Sequence, residues 1–217
     1  MATADAKKST KRTRLNPEDR KQIILDTSAR IVSEEGVSVL TMDRIGKEVG
    51  VSKSLIYAYF PNVTQLLKEL YARELKALRM LQVAAADEAT TFEGMVRRVT
   101  HVYMEYIDTR GMLLYRLQSE PSITDGITGP TYYSRATAVN YVAEIIHETF
   151  DIPMDIAVAA TDISYGLPEA GGNYLHRKKA DRQQIEDLTA TMLIGSIKEL
   201  AANYQTRLRP LKRGKSE

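Results

Sequence analysis

Thr41-Met-Asp-Arg-Ile-Gly-Lys-Glu-Val-Gly-Val-Ser-Lys-Ser-Leu-Ile-Tyr-Ala-Tyr-Phe60 decides how this chain is read. Thr41 is an N-cap, and Leu40 and Ile45 occupy the N′ and N4 positions of a hydrophobic staple. Ser52 repeats the pattern with Val51 and Ile56. Gly50 falls between the two short helices, where a residue without a Cβ adopts a positive φ at low cost. Ile45, Val49, Val51, Ile56 and Tyr59 can share a small core, and Gly46 leaves room for the helices to approach. The unit is a helix-turn-helix, a shape that sets one helix into the major groove of DNA.

Helical spacing sorts the second helix into two faces. Ile56, Tyr59 and Phe60 lie at i, i+3 and i+4 and are expected to point inward. Lys53, Ser54, Tyr57 and Ala58 lie opposite. Lys53 suits a phosphate or a guanine edge, the hydroxyls of Ser54 and Tyr57 suit phosphate oxygens, and Leu55 suits a thymine methyl. The expected DNA-contacting set is Thr41, Arg44, Ser52, Lys53, Ser54, Leu55, Tyr57 and Tyr59. A helix-turn-helix that only packs, without DNA, is the plainer alternative.

Leu40-Thr41, Ile45-Gly46, Gly50-Val51-Ser52 and the ending Tyr57-Ala-Tyr59-Phe60, followed by Asn62 and Leu66-Leu67, resemble the DNA-binding domain of the TetR family of bacterial transcriptional regulators. The resemblance is specific over residues 20 to 67 and weak beyond. The motif's place near the N-terminus, after one helix, and the length of 217 residues also fit that family. Two positions depart from it: Ser54-Leu55 replaces a common Gly-Thr pair, and Val63 replaces a lysine at the start of the fourth helix. The resemblance implies a homodimer, formed by pairing the two C-terminal helices of each copy, and a pocket for a small-molecule effector.

Composition sets the outer bounds. There is no cysteine, so disulfide and thiolate chemistry are out. The basic N-terminus has no apolar segment of the kind that directs export, and no apolar run reaches membrane-spanning length, so the expected location is the cytoplasm. Residues 1–16 carry a net charge of +4 and residues 207–217 another +4, which leaves −6 for the stretch between. The expected organisation is a flexible basic arm (1–16), the helix-turn-helix domain (17–62), a helical effector-binding and dimerisation domain (63–206) and a basic tail (207–217). The arm can add salt-sensitive phosphate contacts.

The remaining pattern is helical, and the fold class is all-α. Asn16-Pro17-Glu18-Asp19 starts a helix that runs to Glu35 and ends at Gly36. Asn62 and Gln65 start a fourth helix, to about Ala86, with Leu66, Leu70, Leu78 and Leu81 expected inward. A helix over 92–109 carries the stripe Phe92, Met95, Val96, Val99, Tyr103, Tyr106 and Ile107. A short helix follows Gly111, and Pro121 to Pro130 reads as a loop. Helices are then expected over 132–150, 154–176 and 182–207, the middle one kinked or loosened by Pro168 and Gly171-Gly172. Ile156, Ala159, Ala160, Ile163, Leu188, Met192, Gly195, Ile197 and Leu200 mix small and large residues, as close helix pairing needs.

Tyrosine is abundant (twelve) against three phenylalanines and no tryptophan. A phenol ring with a polar tip suits a mostly apolar pocket. The candidate ligand contacts are Tyr103, Met104, Ile107, Met112, Tyr133 and Tyr165, although aromatic stripes at helical spacing are more often ordinary core.

Enzyme motifs fail on the residues that would do the chemistry. His147-Glu148 has Asp151 where a zincin needs its second histidine, and Gly166 to Gly171 is followed by Gly172-Asn173 rather than Lys-Ser/Thr. No catalytic, metal or cofactor site is expected. The expected partners are a double-stranded DNA operator, an unidentified small-molecule effector and a second copy of the chain, with no membrane. The expected function is a regulator, a repressor that leaves a palindromic operator when the effector binds. A constitutive DNA-binding protein or a helical enzyme are the alternatives.

Overall fold

The computed structural model describes residues 16–110, 112–124 and 135–204. The expected arm to residue 15, the tail, Tyr133 and most of the expected 121–130 loop lie outside them. Among the described residues every regular element is helical. No helix among the described residues is long and apolar enough to cross a membrane.

Helix α1 spans Pro17–Glu35, with the Asn16 carboxamide oxygen accepting from the Asp19 N–H at 2.8 Å. Gly36 closes it at φ +100°, a conformation a side chain would strain. After a 3-10 turn at Val37–Val39 come α2 (Met42–Val49), α3 (Lys53–Tyr59) and the long α4 (Val63–Asp87). Then follow α5 (Phe92–Arg110), α6 (Leu113–Gln118), α7 (Pro121–Thr124), α8 (Arg135–Phe150), α9 (Met154–Ser164), α10 (Gly166–Lys178) and α11 (Arg182–Asn203).

Two main apolar clusters organise the molecule. The first joins Ile24, Ile31, Ile45, Ile56 and Phe60 of the N-terminal helices to Leu66, Leu70 and Leu78 of α4. It continues into Ile107, Leu113, Leu117 and Ile123, so the helix-turn-helix shares its core with α5, α6 and α7. The second cluster holds Phe92, Met95, Ile146, Ile152, Ala157 and Ile197, with Phe92 and Phe150 edge-to-face at 5.1 Å. Helix α4 is the element common to both regions: its N-terminal half packs on the helix-turn-helix, and Ala86 at its far end joins the second cluster.

Four expectations are corrected. Leu81 is 55 % exposed rather than inward, because the buried stripe of α4 runs through Leu70, Glu74 and Leu78, and Leu81 falls off that line. The expected loop after Pro121 begins as a helical turn, because fully buried Ile123 anchors it to the core. The expected single helix over 154–176 is two helices, broken at Tyr165. Pro168 accounts for the break, since it has no N–H for the Ser164 carbonyl. Gly171 and Gly172 do not loosen α10; they let it press against its neighbours. A Cβ on Gly171 would stand 2.6 Å from Thr189 Oγ1 and 2.7 Å from Met104 Cε.

Candidate nucleic-acid interface and ligand cavity

The helix-turn-helix is locked by the local bonds its sequence calls for. Thr41 Oγ1 accepts from the Arg44 N–H at 3.2 Å, and Ser52 Oγ accepts from the Leu55 N–H at 3.3 Å. Gly50 is left-handed at φ 75°, ψ 35°, and the Val51 N–H closes the turn on the Gly46 carbonyl at 2.9 Å. A Cβ on Gly46 would lie 3.1 Å from the Val51 carbonyl oxygen, so this glycine permits the close crossing of α2 and α3. Ile56 and Phe60 are fully buried and Tyr59 is half-buried.

One face of α3 stays free. Lys53, Ser54, Tyr57 and Ala58 are exposed, Tyr57 at 46 %. Ser54 Oγ lies 3.0 Å from Ser52 Oγ, and Leu55 is half-buried at the border. Arg44 is held differently. Its guanidinium donates to Glu35 at 3.0 Å and to Glu48 at 3.1 Å, while Arg30 bonds both Glu34 and Glu48. Hydrogen bonding from Arg44 holds the Glu35 carboxyl below its ordinary range, and Glu35 and Glu48 raise the Arg44 guanidinium in turn. Lys47 is likewise paired with Asp43 at 2.9 Å. Lys53 has no ion pair among the described residues, which leaves it as the cation on this face ready for a phosphate.

Behind this unit lies a cavity of about 350 Å³. Leu75, Leu78, Arg79 and Gln82 of α4 form one wall, and Phe92, Val99, Thr100 and Tyr103 of α5 another. Leu114, Tyr115 and Gln118 of α6, Tyr141 and Ile146 of α8, Thr161, Tyr165 and Glu169 of α9 and α10, and Ile197 of α11 complete it. Of the expected ligand contacts, Tyr103 and Tyr165 line it. Met104 is instead packed with Leu175 and Ile185, and Ile107 and Met112 belong to the first core cluster. Sequence reading missed Arg79 and Glu169. Arg79 carried a signal, since it lies one turn past Leu75 on the apolar side of α4; Glu169, in a first helical turn, carried none.

Two polar links connect the cavity region to the helix-turn-helix. Arg116 of α6 donates to the last carbonyls of α1, Val32 O at 2.7 Å and Ser33 O at 2.9 Å, and so adds to the Gly36 N–H that already meets Val32 O at 3.0 Å. Glu74 of α4, 2 % exposed, accepts from Arg73 at 2.7 Å and from the Tyr106 hydroxyl at 3.2 Å. Burial and the Glu74 charge together push the Tyr106 hydroxyl up from its ordinary value. Arg73 also reaches Asp26 of α1 at 2.8 Å.

The histidines do other work. His101 Nδ1 lies 2.5 Å from buried Glu186, His147 Nδ1 lies 2.6 Å from the Ile152 carbonyl, and His176 is exposed. Among the described residues no three His, Cys, Asp or Glu side chains gather as a metal site would require.

Residues 24–70 match the family model of bacterial regulatory proteins, tetR family. An uncharacterised HTH-type transcriptional regulator of Bacillus subtilis, YhgD, is 27% identical over 105 residues, covering 48% of this chain and 55% of its own length. The chain thus spans about half the length of the curated relatives it matches. Among solved structures, a TetR-like regulator from Rhodococcus aligns with TM-score 0.68 at 19% identity, over 85% of this chain and 99% of that one. A transcriptional regulator from Pseudomonas aeruginosa aligns with TM-score 0.69 at 18% identity, over 90% and 97%. At such identities the structures speak for the fold, while the matched segment coincides with the capped helix-turn-helix. Residues 24–70 thus carry the segment described by the model of bacterial regulatory proteins, tetR family, and the chain as a whole shares the fold of the TetR-like structures.

Proposed function

We propose that the protein is a ligand-responsive transcriptional regulator, a repressor that binds a palindromic operator as a homodimer and is released when a small molecule fills the cavity. The observation that carries this reading is α4: one end packs under the helix-turn-helix and the other walls the cavity. A ligand that favours a different placement of α4 would shift the recognition helices with it. It acts only through its difference in affinity for the two arrangements. Helix α6 adds a second route, because it lines the cavity through Leu114 and Gln118 and holds α1 through Arg116.

Lys53, Ser54 and Tyr57 are the proposed core of the DNA contact, with Ser52, Leu55 and the N-terminus of α2 at Thr41 beside them. Arg44 contributes by bracing α2 against α1 through Glu35 and Glu48. The dimer is supported by apolar side chains that a single chain leaves in water. Ile163 is 82 % exposed, and Tyr174, Leu188 and Met192 about half, all on α9 to α11. Burying such a face in a second copy is the ordinary way to relieve it. Two copies would then present two α3 helices to half-sites roughly 34–36 Å apart.

Selection of bound sequences from a random DNA pool tests the reading directly. A palindromic consensus supports a dimeric reader; no enrichment at 0.1 M salt removes the DNA-binding role. Retention of that operator in the presence of every ligand that fills the cavity would leave a constitutive binder.

A further inference from the structure

Helix α10 ends in a run of cations that no neighbouring acid answers. His176, Arg177, Lys178 and Lys179 are all exposed, and the last three have no ion pair among the described residues. No acidic residue occurs between Glu169 and Asp181, although residues 17–206 together carry −6. Cations in the last turn of a helix complement its dipole, which accounts in part for Arg177 and Lys178. It does not account for Lys179. That residue stands past the helix end in the left-handed cap position (φ 49°, ψ 41°), where glycine or asparagine costs less.

Helix α5 fixes where this corner lies. Its C-terminal end stands on the helix-turn-helix, where the Ser33 hydroxyl donates to the Arg110 carbonyl at 2.8 Å. Its other end is remote from that domain, with Phe92 in the second apolar cluster. Leu175 of α10 packs on Met104, and Arg182 at the start of α11 reaches Asp108 at 3.2 Å. Lys198, far along α11, pairs with Glu93 at the start of α5. The corner between α10 and α11 is therefore at the helix-turn-helix end of the molecule.

Lys178 follows Tyr174 by one turn on the same face of α10, and Tyr174 belongs to the exposed apolar set assigned above to the dimer. In that dimer the two corners flank the two-fold axis. Like charges gathered there repel one another unless an anion lies beside them. Two α3 helices in successive major grooves leave a minor groove facing the axis, about 6 Å wide and edged by one phosphate strand on each side. We propose that Arg177, Lys178 and Lys179 form a second DNA contact, each subunit's corner meeting one strand beside that central minor groove. The inference rests on the dimeric reader above and adds to it a contact that supplies affinity without reading sequence.

The full-length protein is titrated with the selected operator and with the same duplex carrying uncharged methylphosphonates at its central phosphates. One variant combines Arg177→Gln, Lys178→Gln and Lys179→Gln. All three side chains are exposed, so sedimentation and melting should match the parent. With one phosphate met per subunit, its slope of log K against log salt becomes shallower by about 1.8, and its affinity falls roughly tenfold or more at about 0.1 M salt. The parent loses a similar factor on the neutral-centre duplex, whereas the variant binds both duplexes alike. Lys178→Gln alone shows the same trend in smaller measure. A parent indifferent to the central phosphates, a variant with the parent's slope, or a variant that still loses affinity on the neutral-centre duplex each overturns the contact. So does a parent that binds its operator as a monomer. Absence of any operator would remove the proposed function and this contact together. An operator that needs Tyr57 but not the corner removes the contact alone.

Discussion

Helix α3 and the cavity both leave polar groups uncommitted, but for opposite physical reasons. On α3 the ammonium of Lys53 and the hydroxyl of Tyr57 face water, where waiting for a partner costs little. In the cavity, Glu169 and Tyr103 wait among apolar side chains, where the same vacancy is expensive. Groups of the first kind can be exchanged with little effect on folding and a direct effect on a partner. Groups of the second kind are maintained against stability, which makes them informative about what is meant to fill the space. Between the two regions run α4 and α6, tied by buried leucines, by Glu74 with Arg73 and by Arg116 on the end of α1.

The neighbours Ile56 and Tyr57 give the widest separation between inside and outside. Ile56→Ala removes a fully buried side chain from the shared core and is expected to cost about 2–5 kcal/mol in chemical denaturation. Tyr57→Ala should stay within about 0.5 kcal/mol of the parent in the same measurement, yet weaken operator binding. If both variants lose comparable stability, α3 is not an exposed reader and the contrast collapses.

Glycines sharpen the comparison on the cavity side. Gly171→Ala would push a Cβ to 2.6 Å from Thr189 Oγ1 in a buried contact and is expected to cost about 1–3 kcal/mol. Gly195→Ala meets nothing within 4 Å in its own chain and should stabilise the monomer by about 0.5–1 kcal/mol, whereas a loss of stability would show that the Leu188–Met192 face is pressed against a second copy. Paired melting curves check both signs. A neutral result at Gly171 would mean that α10 has room to move off α5 and α11.

The elements between the regions are reached through Arg116. Arg116→Ala removes the charged donor from the Val32 and Ser33 carbonyls, leaving Val32 O only the Gly36 N–H, and is expected to cost about 1–3 kcal/mol, as for hydrogen bonds from a charged donor. Operator binding by the ligand-free protein should survive in the folded fraction, while the ligand concentration needed for release rises. An unchanged release curve would assign the coupling to α4 alone.

This division also explains what could be read in advance. Thr41, Gly50 and Ser52 act on their own next few residues, so their caps and turn are written in local order and appear where the spacing put them. Pro168 acts locally too, and α10 begins just ahead of it. The cavity is assembled from helices far apart in sequence, and no local rule says which side of a tyrosine faces a void. Tyr103 and Tyr165 reached it, whereas Met104 and Ile107, on the same helix as Tyr103, were taken by packing against Gly171 and Gly172. Ile163 and Leu188 show the same limit, since an apolar stripe does not reveal whether its own chain or another covers it.

The smallest expected effect is also the most specific. Lys53→Ala removes an exposed cation with no ion pair among the described residues, so folding stability should be unchanged. If Lys53 meets a phosphate, operator affinity falls by about 1 kcal/mol for each half-site and the slope of log K against log salt becomes shallower by about 1.8 for the dimer, about 0.9 for each Lys53. A guanine contact gives a different signature: affinity falls only on the consensus base, and discrimination at that position relaxes. Arg44→Ala is the internal control, because Glu35 and Glu48 already neutralise that guanidinium. Its salt slope should match the parent even if the loss of bracing lowers affinity. A slope change at Arg44 and none at Lys53 would exchange their roles, placing the phosphate contact on α2 and leaving α3 to read bases alone.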